Sequence, residues 1–75
     1  MSREFNLRDQ VPAILAINAE RQRQGMSLGD MEERSGVSVG SVYAWRSGKR
    51  SPQTHMLVAL AGTLGYEIIM RRKKI

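Results

Sequence analysis

Apolar residues recur along this chain at helical spacing, in short blocks separated by polar and glycine-bearing gaps. Val11, Ile14, Leu15 and Ile17 form the first block, with Asn18 and the charged segment 20–23 turned outward, and predict a helix over about residues 9–24. Two shorter blocks predict helices near 28–35 and 39–47, the second with Val42 and Trp45 as its inward anchors. Leu57, Leu60, Ala61 and Leu64 predict a last helix over about 52–64. The segment "YEIIM", residues 66–70, breaks the pattern: it is rich in β-branched and aromatic residues and too short for another helix, so it predicts a strand.

The gaps carry start and stop signals that agree with these blocks. Ser27 with Asp30 three residues on approximates a capping box, and Met26 and Met31 stand at the flanking positions of a hydrophobic staple. Ser38, with Val37 facing Val42, repeats the device. Ser51 is placed to cap the last helix with Pro52 at its first position, where a missing N–H costs nothing. Asn6 or Asp9 could cap the first, whose Pro12 suits an early turn. Gly25, Gly36, Gly48 and Gly65 each follow a plausible last turn, as left-handed C-caps do.

Two short helices joined by "SGV" have the spacing of a helix-turn-helix, which presents its second helix to the major groove of DNA. With Val42 and Trp45 inward, Ser38, Val39, Gly40, Ser41, Tyr43 and Ala44 are free to meet base edges and phosphates. The small leading residues would let the N–H groups at that end of the helix approach closely. Simpler roles exist for several of them: Ser38 is a cap first, Gly40 a tolerated first-turn glycine, and Tyr43 a surface aromatic if it does not touch a phosphate or a thymine methyl.

Charge bears on the same point. The formal net charge of +5 is uneven: residues 1–37 carry five basic and six acidic side chains, residues 38–75 seven basic and one acidic. A basic half suits a polyanion on one face, although Arg71, Arg72, Lys73 and Lys74 could be no more than a solvated tail. There are no cysteines, hence no disulfide or thiolate metal site. His55 lacks the partners a metal site needs, and no nucleophile–base pair, paired acids or phosphate-cradling glycine loop is present, so neither enzyme nor cofactor is expected. No run reaches the roughly 20 apolar residues of a membrane span, and no signal-peptide layout is seen, so a cytoplasmic location is expected. A chain of 75 residues buries a thin core, for which dimerisation is a ready source of further stability.

The pieces "RQRQGMSLGDMEERSGVSVGSVYAW", "SGKRSP" and "LVALAGTLG" together resemble the Xre family, the helix-turn-helix domains of Cro and lambda-type phage repressors, over roughly residues 14–65. The resemblance implies an all-α, lambda-repressor-like fold of four to five short helices, and double-stranded DNA as partner. It further implies that Ser47, Lys49 and Arg50, in the loop after the recognition helix, grip phosphates. Arg21 matches an arginine often found near the end of the first helix. Three positions depart from the family pattern: Leu28 replaces a polar residue, Glu32 a small alanine, and Arg46 a glutamate that pairs with the arginine at position 21. Arg46 is therefore expected to turn to DNA or to meet a carboxylate such as Glu32.

The expected organisation is a DNA-binding domain over residues 1–65 and a strand with a basic tail over 66–75. An isolated strand exposes an unpaired edge, which "REFNL" (residues 3–7) or the same strand of a second copy would satisfy. In the dimer Tyr66, Ile68 and Met70 would line one face and Ile69 the other. The expected function is a dimeric regulator, more specifically a repressor. The alternatives are an antitoxin that also binds a toxin protein, and a protein-binding module that uses the helix-turn-helix only as scaffold.

Overall fold

The computed structural model describes residues 4–73 and is all-helical. Helices α1 (Val11–Arg23), α2 (Leu28–Ser35), α3 (Val39–Arg46) and α4 (Thr54–Thr63) follow one another through short connections, α1 packing chiefly on α3 and α2 on α4. One cluster holds them together: Ile14 and Ile17 of α1, Met26, Met31, Val37, Val42, Trp45, and Leu57, Leu60, Ala61 and Leu64 around α4. Met31, Val37, Ile14 and Leu60 are wholly enclosed, so the turn between α2 and α3 is tied to the centre of the molecule.

The helix ends explain why the elements stop where they do. All four glycines expected as stops have positive φ, from 70° at Gly25 to 86° at Gly65. After α1, α3 and α4 the chain closes with the paired backbone bonds of a Schellman turn, as in Gly48 N–H to Trp45 O (3.2 Å) and Lys49 N–H to Ala44 O (3.0 Å). The end of α2 is different. Gly36 donates to Glu32 O (2.9 Å), and the next N–H, of Val37, turns to Ser35 Oγ (3.1 Å), which itself donates to Met31 O (2.6 Å). This single left-handed residue plus a serine reverses the chain in the few residues available before Ser38 caps α3.

Four expectations are corrected. There is no strand among the described residues: the Tyr66 N–H is used in closing α4 on Ala61 O (2.9 Å), and Tyr66 and Ile68 lay their side chains on the core instead of forming a ladder. The last helix begins at Thr54 with Gln53 as an N-cap whose side chain makes no cap bond, so Ser51 and Pro52 belong to the loop. The buried stripe of α1 is Ala13, Ile14 and Ile17, while Leu15 is 49% exposed and Val11 half-buried. Leu15 is one step of about 100° round the helix from Ile14, enough to take it off the stripe. Neither Asn6 nor Asp9 is the N-cap of α1. That residue is Gln10, though Asp9 Oδ1 does accept from the Val11 N–H (3.2 Å).

Candidate nucleic-acid interface

The inner face of α3 is fixed by Val42 and Trp45, both buried, and this decides what the helix shows outside. Ser38 and Gly40 are exposed, Val39, Ser41 and Ala44 are half-buried, and Tyr43 is 44% exposed. The side chains leading the helix are small, so its backbone stands close to whatever lies against it. Nothing lies within 4 Å of the position a Gly40 Cβ would take.

The leading end of α3 is more occupied than its small side chains imply. Ser38 Oγ accepts from the Ser41 N–H (3.1 Å) and donates to Ser41 Oγ (2.8 Å). Glu32 reaches across the turn from α2, its Oε1 accepting from the Val39 N–H (2.8 Å). The expectation of free N–H groups at this end is thus corrected for Val39 and Ser41. So is the suggested meeting of Glu32 with Arg46. Arg46 lies over the Tyr43 ring instead, its guanidinium carbon 4.6 Å from the centroid, a cation–π stack on the outer side of α3.

Arg21 is directed into the protein. Its Nε donates to Asn18 Oδ1 (3.0 Å) and its Nη1 to Met26 O (2.8 Å), which fastens the end of α1 to the loop that begins α2. Beyond α3, the Lys49 and Arg50 N–H groups both point to Ala44 O (3.0 and 3.4 Å), and Ser47 Oγ donates to the same carbonyl (3.0 Å). The loop backbone is thereby folded onto the helix end while the Lys49 and Arg50 side chains stand in solvent. Arg50 also borders a small cleft of about 270 Å³ between α3 and the start of α4, with Ser41, Ser51 and Gln53. Ser51 is expected only as a helix cap, and Gln53 carries no charge or spacing signal that would single it out in the sequence.

The C-terminal segment lies on a different part of the core surface. Tyr66 and Ile68 are half-buried and line, with Leu7, Ile17 and Leu57, an open groove of about 1110 Å³. Ile69 is 65% and Met70 fully exposed, so Met70 does not share a face with Tyr66 and Ile68 as strand alternation would have required. The segment 4–7 does run beside it, and Arg71 Nη1 approaches Glu4 at 3.4 Å. Arg3, Lys74 and Ile75 lie outside the described residues.

A recognition helix anchored from within, preceded by a left-handed glycine turn and followed by an exposed basic loop, defines a helix-turn-helix protein of the DNA-binding class. The helix-turn-helix family model matches residues 17–69, most of the chain, and the protein belongs to that family, the Xre and Cro type of DNA-binding regulator. Comparison with curated proteins and with solved structures gives no match. Among the described residues no helix is long and apolar enough to cross a membrane.

Proposed function

We propose that this protein is a sequence-specific regulator of transcription that represses by occupying a palindromic operator as a homodimer in the cytoplasm. The observation that carries the reading is the outer face of α3, small and accessible above a buried Val42–Trp45 anchor and flanked by exposed Lys49 and Arg50. Val39, Gly40, Ser41, Tyr43 and Ala44 take the base edges, while Lys49 and Arg50 hold phosphates and Ser38 and Ser47, whose hydroxyls donate to Ser41 Oγ and Ala44 O, order the two ends of the helix. Arg46, stacked on Tyr43, is held ready for the same surface. Arg21 serves it indirectly, by fixing α1 against the start of α2.

Dimerisation belongs to the C-terminal segment. Tyr66 and Ile68 anchor it on the core, and Ile69 and Met70 offer apolar surface that a second copy would cover. Selection of bound sites from random duplex DNA tests the reading. It should return a two-fold symmetric site with half-sites about 34 Å apart. Recovery of unrelated sequences by a folded protein would end it. The same exposed Ile69 and Met70 also favour a second reading, an antitoxin that covers them with a toxin, for which co-purification of a second protein from the native source is the test.

A further inference from the structure

A helix that enters the major groove ordinarily brings free N–H groups at its leading end, which attract phosphate. In this protein two of those groups are taken from within. The Val39 N–H goes to Glu32 Oε1 and the Ser41 N–H to Ser38 Oγ. No basic side chain occurs between Ser35 and Trp45. Glu32 is exposed, and its second oxygen, Oε2, has no hydrogen-bond partner among the described residues. An anionic acceptor from α2 therefore stands beside the start of α3, where two of the helix's own donors are already taken.

The edges available to it in the groove are few. Phosphate oxygens, guanine N7 and O6 and thymine O4 are all acceptors and meet a carboxylate unfavourably. The donors there are the exocyclic amino groups of cytosine and adenine. We infer that Glu32 is a base-reading residue whose free carboxylate oxygen accepts a hydrogen bond from the amino group of a cytosine or an adenine. The bond to Val39 holds the carboxylate in place for this and ties it to the position of α3. The inference rests on the reading of α3 as the helix that docks on DNA. It adds a specificity residue on α2 that the spacing of α3 alone does not reveal.

The experiment compares the wild-type protein with Glu32→Gln by site selection and by titration of the selected duplex. Glutamine keeps an oxygen for the Val39 N–H but turns an amide donor outward. At one base pair in each half-site the wild type should prefer cytosine or adenine by about fivefold or more. Glu32→Gln should lose that preference or move it to guanine or thymine. A second arm needs no altered protein: replacing that cytosine by 2-pyrimidinone, or that adenine by purine, removes only the amino group and should weaken wild-type binding about fivefold. Coinciding preferences of the two proteins, or an amino-free base bound as tightly as the natural one, would overturn the role of Glu32 while leaving sequence-specific docking intact. A folded wild-type protein with no site preference would overturn both.

Discussion

Gly36 and Gly40 lie close together in the sequence, and a single methyl group should act on them in opposite directions. Gly36 has φ 75°, and nothing lies within 4 Å of its absent Cβ, so the cost of Gly36→Ala is conformational, about 1–2 kcal/mol for a left-handed L-residue. Gly40 is in the first turn of α3 with ordinary φ and open space, so Gly40→Ala should stabilise by up to about 1 kcal/mol. Denaturant midpoints of the two variants check this, and a shift of the same sign in both would contradict it. Glu20 gives a residue-scale pH dependence. Hydrogen bonds from Arg23 first, and then from Gln24, lower its carboxyl from 4.5 to about 2. A lowered folded-state value means that its stabilisation is complete above about 4.5 and fades as pH falls toward about 2. The stability difference between wild type and Glu20→Gln should therefore shrink over that interval in thermal melts, whereas a difference constant with pH would count against the pairing. Arg23 is exposed and Glu20 half-buried at the surface, where solvent screens the pair, so the effect is small.

At the scale of elements, α3 is held from three directions: Val42 and Trp45 below, Glu32 and Ser38 at its start, and the folded-back loop of Lys49 and Arg50 at its end. Because the loop backbone is fixed to Ala44 O, Lys49 can lose its charge without the loop losing its place. Lys49→Ala should reduce the log–log salt slope of DNA binding by about one and weaken all duplexes alike. An unchanged slope would remove Lys49 from the interface. What the sequence revealed at this scale was local: the Ser27 and Ser38 caps, the glycine stops and the apolar spacing of α4 each depend on residues a turn or less apart. What it hid depends on the partner across space. Glu32 finds the Val39 N–H seven residues away, through a turn whose geometry no pattern of apolar positions encodes. "YEIIM" has the composition of a strand, yet alternate side chains packing on a core have the same apolar signature as alternate side chains in a sheet, and Tyr66 and Ile68 do the former. In α1, Ala13 and Leu15 flank Ile14 on either side, and the hydrophobicity of leucine favours the wrong neighbour.

For the whole molecule, the surfaces proposed for DNA binding and for assembly are separate. The α3 face and its basic loop are one, and the segment 66–70 beside residues 4–7 is the other. Removing the whole segment would strip Tyr66 and Ile68 from the core and confuse assembly with folding. Replacing only Ile69 and Met70 by serine leaves the core untouched, since both side chains are exposed. Surface changes of this kind usually alter stability by no more than about 0.5 kcal/mol. The double variant should be a folded monomer in solution and bind a half-site but not the full palindrome. A variant of dimer mass with full-site affinity would place the dimer contact elsewhere.

Sequence-specific docking of α3 is tested most directly by one ratio, the Kd for a scrambled duplex over the Kd for the selected duplex of equal length and composition, at a single salt concentration. A specific regulator should give a ratio of roughly 10³ or more. Gly40→Gln, which places a bulky side chain on the face proposed to meet the bases, should lower that ratio while its melt remains cooperative. A ratio near one for the folded wild-type protein, with a steep salt dependence and no response to Gly40→Gln, would mean that only phosphates are held and that α3 does not read the groove.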